Sequence, residues 1–252
     1  MINNLDKNFI LNFSKFLDDV VVFDEIDSTN RIAKELARDG IKENTVITAD
    51  YQTLGKGRRG RDFFSPKGTG VYFSLVLRPN LSAQESVLVT IVSALAVANT
   101  IRELLKKDAK IKWINDVFID DKKCAGILTE AIFNGDKIQS IIVGIGVNVT
   151  TEYFPTEVSK IAGSIGEIDR NLLIASICDK VIKYCKDLPK NARIDEYKQL
   201  CFVLNNEVKV ITNNDEYIAK AIDIDEKGRL IVEKSGKKVE LYTEEVSICT
   251  RR

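Results

Sequence analysis

The sequence predicts an α+β protein, with a mixed strand-and-helix domain over residues 1–203 and a small β module over 204–252. Three observations carry this prediction. Alternating segments such as Val71, Phe73, Leu75 and Leu77, set against Tyr72, Ser74 and Arg78, are interleaved with segments of helical spacing. One long run, Ala83 to Lys106, is rich in Ala, Val and Leu and reads as a core helix. From about Leu204 the texture changes to short period-2 patches (Val208, Val210; Leu230, Val232; Val239, Leu241) punctuated by Asn213-Asn214, Lys227-Gly228 and Ser235-Gly236.

Each element has a local reason. Val20 to Phe23 is a β-branched strand. Asp27-Ser28-Thr29-Asn30 offers helix caps ahead of Ile32, Ala33, Leu36 and Ala37, and Gly40 supplies the stop. Thr45 to Tyr51 is a second strand, and Val71 to Leu77 a third with one face buried. Ile111–Ile119 and Lys122–Glu130 read as a hairpin turning at Asp120-Asp121, and Asn134-Gly135 turns into a glycine-spaced strand, Gln139 to Asn148. Arg170–Lys186 and Asp195–Cys201 read as helices.

Composition narrows the function classes. The chain has 252 residues, 37 Lys+Arg against 37 Asp+Glu, and a pI near 6.5, so no global field draws it to nucleic acid or anionic membrane. The five cysteines form no C-x-x-C pair, and residues 1–7 lack the character of a signal peptide, which points to a reduced, cytoplasmic setting. The chain has no histidine, which excludes Ser-His-Asp and Cys-His catalysis and histidine-ligated metals. Chemistry must rest on Lys, Arg, Asp, Glu and backbone amides, with Mg²⁺ as the one metal to consider; no side-chain metal site is expected.

The most informative stretch is Gly55 to Arg61, with three glycines and four cationic side chains in seven positions. Glycine admits sharp turns and close approach, and arginine forks match phosphate oxygens, so this loop suits a polyphosphate or an adenylate. Gly55, Gly57 and Gly60 satisfy G-x-G-x-x-G, but no helix opens after them and no acidic residue follows at the ribose position, so a dinucleotide fold is excluded. Gly57 after Lys56 excludes a Walker A loop.

Five stretches in order resemble the biotin–protein ligase (biotin–[acetyl-CoA-carboxylase] ligase) family. They are Ser28-Thr29-Asn30, Tyr51-Gln52 through Arg61, Lys112-Trp113-Ile114-Asn115-Asp116, Lys123-Cys124-Ala125-Gly126-Ile127-Leu128 and Gly144-Ile145-Gly146-Val147-Asn148. The resemblance covers about residues 20–150 and implies a mixed sheet with helices on one face, like class II aminoacyl-tRNA synthetases, followed by a small SH3-like domain. It implies ATP and biotin as substrates, Mg²⁺ on the phosphates, biotinyl-5′-AMP as intermediate, and a biotin carboxyl carrier protein as acceptor. By the same resemblance Lys123, Arg58 and Asp116 are the catalytic candidates. Ser28, Thr29, Asn30, Gln52, Lys56, Gly57, Arg58, Lys123 and Gly126 would bind biotin, and Arg58, Arg61, Lys112, Asn115 and Asn148 the nucleotide. About twenty residues precede the first strand, too few for the DNA-binding winged helix some members carry, so a repressor role is not expected; with the balanced charge, no nucleic-acid or membrane partner is expected, and a homodimer through an exposed sheet edge stays open.

The chain departs from the family pattern at Lys56 (usually Arg), Ile114 (usually Pro) and Phe63 (frequently Trp). A lipoate–protein ligase shares the fold and the lysine chemistry and is the nearest alternative. A nucleic-acid-binding module is the alternative from another class, and the balanced charge argues against it.

Overall fold

The computed structural model describes residues 4–212 and 215–249. The turn expected at Asn213-Asn214 lies outside the described residues. A seven-stranded mixed sheet runs β1-β2-β3-β7-β6-β5-β4: Asp19–Ile26, Thr45–Gln52, Gly70–Leu77, Lys137–Asn148, Lys122–Asn134, Asp116–Ile119 and Lys110–Lys112. Only β1 and β2 are parallel. Parallel neighbours need a crossover, and helix α2 (Thr29–Arg38), third in the chain after α1 (Lys7–Phe13) and β1, provides it. Gly40, at φ +89°, lets the chain leave α2 in the left-handed region, as the sequence suggests.

The sheet carries cores on both faces. On one, Val71, Phe73, Leu75, Val143, Ile145 and Ile127 pack against α3 (Val87–Leu105) and α5 (Arg170–Lys186). On the other, Ile47, Val76 and Ile142 pack against Ala33 and Ala37 of α2. Each such fully buried aliphatic side chain contributes about 1.5–3 kcal/mol. Two expectations are corrected here: helices lie on both faces rather than one, and β3 is buried at all eight positions rather than on alternate ones. A strand in the middle of a doubly covered sheet buries its polar-looking alternates, and Tyr72 and Ser74 find hydrogen-bond partners inside.

Two further boundaries differ. α3 begins at Val87 rather than near Ala83, because Ser82 and Glu85 spend their side chains on a turn of their own. Ile111–Ile119 is not one strand: β4 and β5 pair antiparallel across a turn at Trp113-Ile114-Asn115, whose Trp113–Ile114 peptide is cis. α3 is apolar and long enough to cross a bilayer by composition, but it is a core helix, buried nearly throughout from Leu88 to Ile101.

The C-terminal strands β8 (Glu207–Ile211), β9 (Glu216–Ile224), β10 (Leu230–Lys234), β11 (Lys237–Leu241) and β12 (Glu245–Ile248) form a five-stranded antiparallel sheet, order β11-β10-β9-β8-β12. Helices α4 (Thr156–Ser159) and α6 (Ile194–Leu200) complete the chain. The small sheet is fastened to the larger unit: the Trp113 indole N–H donates to the Gly228 carbonyl at 3.0 Å, and Lys198 pairs with Asp223 at 2.6 Å.

Candidate active site

A cavity of ≈ 420 Å³ opens on the α2 face of the sheet. Its floor is a glycine track. Gly126 of β6 is paired with Gly146 of β7, and Gly144 lies opposite Leu128. Close approach explains the glycines: a Cβ on Gly146 would lie 2.4 Å from the Phe63 ring, and one on Gly144 would lie 2.1 Å from Asn30 Oδ1.

The loop expected to carry the chemistry leaves β2 after Gln52 and folds back on itself. Gly57 N donates to the Arg61 carbonyl at 2.7 Å and Phe63 N to the Gly55 carbonyl at 2.8 Å, around a single 3-10 turn at Arg58–Gly60. The Arg58 guanidinium donates to Asn115 Oδ1 (3.1 Å) and to the Thr243 carbonyl (2.9 Å). Arg59 also reaches the Thr243 carbonyl (3.2 Å), and Arg61 pairs with Glu245. The basic loop therefore rests on the turn ahead of β12. Burial lowers the pKa values of the Arg58 guanidinium and the Lys112 ammonium, so both are cations held in a weakly solvated place. Burial alone would raise the Glu245 carboxyl; the Arg61 guanidinium outweighs it and holds it below the usual range.

Lys123, at the start of β6, places its ammonium 2.7 Å from Asp116 Oδ1, an ion pair at hydrogen-bond distance but with poor angular alignment. Asn115 is fixed from both sides, its Nδ2 donating to the Ile127 carbonyl at 2.9 Å. Asn148 Nδ2 donates to the Gly163 carbonyl at 3.0 Å, while its Oδ1 is buried with no hydrogen-bond partner.

The opposite end of the cavity is polar and uncharged. Ser28 caps α2 without spending its hydroxyl on the helix. Thr29 donates to Gln52 Oε1 from its backbone N–H (2.9 Å) and its hydroxyl (3.1 Å), and Gln52 Nε2 donates to Ser65 Oγ (2.9 Å). Asn30 faces the sheet, with its amide bonded to Ser74, Leu128 and Glu130. The Glu130 carboxyl would be raised by burial, but Lys34 and Asn30 outweigh this and hold it low. A Cβ on Gly126 would lie 3.4 Å from Lys123 Nζ, and Asn30 reaches the carbonyl of Leu128, two residues on. The ammonium and the uncharged cluster are thus separated by roughly 7 Å of strand.

All fourteen candidates named from the sequence line this one cavity: Ser28, Thr29, Asn30, Gln52, Lys56, Gly57, Arg58, Arg61, Lys112, Asn115, Asp116, Lys123, Gly126 and Asn148. Sequence reasoning missed the far wall. Phe154, Glu157, Val158, Ile161 and Ala162 enter from the segment after β7, and Thr243, Glu244, Glu245 and Val246 from the C-terminal module. Phe64 and Phe154 meet edge to face at 6.4 Å in this wall. Nothing in the spacing of these residues marks them as neighbours of a loop more than ninety positions earlier.

Residues 22–148 match the biotin/lipoate A/B protein ligase family, and residues 203–248 match the biotin protein ligase C-terminal domain. The chain is 32% identical over 239 residues to the bifunctional ligase/repressor BirA of Bacillus subtilis (strain 168), covering 91% of this chain and 74% of that protein. It is 39% identical over 125 residues to the biotin--[acetyl-CoA-carboxylase] ligase of Paracoccus denitrificans, covering 49% and 51% of the two chains. The fold matches a biotin protein ligase from Aquifex aeolicus solved with biotin and ATP, at a TM-score of 0.79 and 24% identity, over 92% of this chain and 100% of that one. The glycine-floored cavity, the arginine loop and both sequence matches lead to one assignment: the chain belongs to the biotin/lipoate A/B protein ligase family.

Proposed function

We propose that the protein is an ATP-dependent biotin–protein ligase that forms biotinyl-5′-AMP and passes the biotinyl group to a lysine of a biotin carboxyl carrier protein. The observation that carries this reading is the division of one cavity into an uncharged hydrogen-bonding end at Thr29 and Gln52 and a cationic end at Arg58, Lys112 and Lys123. A cyclic urea presents N–H donors and a carbonyl acceptor and suits the first end; the dithiolane ring of lipoate has neither, so the polar cluster favours biotin over lipoate.

In the first half-reaction a carboxylate oxygen of biotin attacks the α-phosphorus of ATP and pyrophosphate leaves. Two anions must approach, so Lys123 and Arg58 stabilise the charge that builds on the carboxyl and phosphoryl oxygens. Lys56, Arg61, Lys112, Asn115 and Asn148 hold the phosphates and nucleoside. Mg²⁺ fits as a companion of the triphosphate: among the described residues no three His, Cys, Asp or Glu side chains cluster to cage a metal, and the unpartnered Asn148 Oδ1 offers a single oxygen. When bound, the ion neutralises phosphate charge.

In the second half-reaction the lysine amine attacks the acyl carbon, the C–O bond to AMP breaks, and the nitrogen loses a proton. Asp116 is the group that orients the amine and receives that proton. Once Lys123 turns to the acyl phosphate, the Asp116 carboxylate is released to do so. The cytoplasm is the proposed setting, in keeping with five free cysteines, four of them buried. The free edge of β1 leaves room for a second copy of the chain, which sedimentation would reveal.

The test is biotin-dependent exchange of labelled pyrophosphate into ATP. Exchange with biotin and not with lipoate, lost in Lys123→Ala and Arg58→Ala, is expected; no exchange with biotin would overturn the reading.

A further inference from the structure

Glu130 does not line the cavity, yet it anchors the chain of polar groups that ends there. It stands on β6 four residues beyond Gly126, on the same face of the strand. Its Oε2 accepts from Asn30 Nδ2 at 2.8 Å, and its Oε1 pairs with Lys34, one turn further along α2, at 2.8 Å. The second Asn30 amide proton goes to the Leu128 carbonyl at 3.3 Å. Asn30 Oδ1 accepts from the Ser74 hydroxyl at 2.5 Å, and Ser74 Oγ lies 2.8 Å from Thr29 Oγ1.

These contacts have a direction. An ionised carboxylate only accepts, and the Leu128 carbonyl beside it likewise, so Asn30 must turn its NH₂ toward Glu130, the shorter of the two bonds, and its carbonyl toward Ser74. Ser74 has one proton, and it is spent on that carbonyl. Ser74 therefore cannot donate to Thr29, and the Thr29 hydroxyl donates its own proton within the protein, to Gln52 Oε1 or back to Ser74. Thr29 lines the cavity and keeps an unshared lone pair. We propose that Glu130 is a positioning residue for ring recognition: it fixes the hydrogen-bond direction of Asn30, Ser74 and Thr29 so that the uncharged end of the cavity accepts from the N–H of a cyclic urea. The inference rests on the ligase reading above and deepens it, because a ring without N–H gains nothing from this polarity. Glu130 thereby contributes to the choice of a ureido acid over other carboxylic acids of similar length.

Glu130→Gln tests it. Glutamine has the same shape but can donate to Asn30, so that only the longer bond to the Leu128 carbonyl, 3.3 Å, opposes an asparagine flip that lets Ser74 donate to Thr29. Pyrophosphate exchange is measured across biotin and ATP concentrations, with calorimetric titration of biotin and of lipoate, and with thermal melts alongside. The expected result is a biotin KM raised by about 10- to 100-fold, the loss of one well-placed hydrogen bond, with kcat, the ATP KM and lipoate binding within about twofold of the parent. Lys34→Ala, which removes the ion pair but keeps the acceptor, should leave the biotin KM within about threefold. If Glu130→Gln fails to fold, Asn30→Ala removes the acceptor that holds the Ser74 proton, lets Ser74 donate to Thr29, and should show the same biotin-only effect. A biotin KM unchanged in Glu130→Gln, an equal effect from Lys34→Ala, or a parallel loss of kcat and of affinity for both substrates would overturn the inference. Absence of biotin-dependent exchange in the parent protein would instead refute the ligase reading on which it rests.

Discussion

Gly146→Ala tests the glycine floor most directly. The new methyl would sit 2.4, 2.6 and 3.0 Å from three Phe63 ring atoms, where ordinary contact begins at 3.4 Å. One partner must retreat by about 1 Å to restore a normal separation. Gly146 cannot, because its strand is hydrogen-bonded on both sides, opposite Tyr72 and Gly126. Phe63 yields more readily, because it is a half-buried loop residue held by its N–H on the Gly55 carbonyl, by Ser65 Oγ on its own carbonyl and by an edge contact with the Tyr72 ring, rather than by a strand ladder. The ring is therefore pushed up from the floor into the volume the ligand needs. Relief through a movable loop places the cost at the low end of overpacking, about 1 kcal/mol of stability, a fall of roughly 2–4 °C in Tm. The ligand bears the rest: about 1–3 kcal/mol, or roughly 5- to 100-fold in biotin KM. The assay is a double-mutant cycle with Phe63→Ala, using biotin titration and thermal melts. In the Phe63→Ala background the added methyl has nothing to displace, so it should change the KM by less than about twofold. Additive effects of the two substitutions would refute the reasoning, since they would mean that the methyl acts without moving the ring.

Other perturbations separate charge, stability and retention. Lys123→Ala should lower pyrophosphate exchange by about 10²- to 10³-fold while the fold survives, read by exchange kinetics and circular dichroism, because a preorganised cation at the reacting oxygens is removed. Lys56→Arg replaces a point charge by a planar fork and should slow release of the adenylate by roughly 3- to 10-fold in a filter-binding chase; an unchanged off-rate would show that Lys56 does not hold it. Trp113→Phe leaves the Gly228 carbonyl without its indole donor, at about 1–3 kcal/mol, and should lower Tm by roughly 3–9 °C. The Glu130 carboxyl titrates below its ordinary value of 4.5 in the folded chain, so its contribution to stability is present above that value and is lost as pH falls below it. Denaturant midpoints should fall more steeply below pH 4.5 in the parent than in Glu130→Gln.

What the sequence revealed and what it concealed follow from the range of the interactions. Helix α5 was legible because Arg170–Lys186 carries its own periodicity, and α2 because Ser28 and Gly40 punctuate it. The near wall of the cavity was legible because Gln52, the arginine loop, Asn115-Asp116 and Lys123 each sit within a few residues of a turn or strand that presents them. β3 misled because alternation reports exposure only when one face meets water, and Tyr72 and Ser74 instead meet partners inside the protein. The break at Trp113-Ile114-Asn115 was hidden by apolar residues on either side that suit a continuous strand equally well. Glu130 is the sharpest case. In the sequence it is one acid near the end of a hairpin strand, and its meaning comes from Asn30, a hundred residues earlier, lying over a strand that has no side chain at Gly144. A glycine that makes room and an acid that dictates direction are both roles defined by a neighbour. A single sequence therefore names the groups that touch a substrate more readily than the groups that aim them.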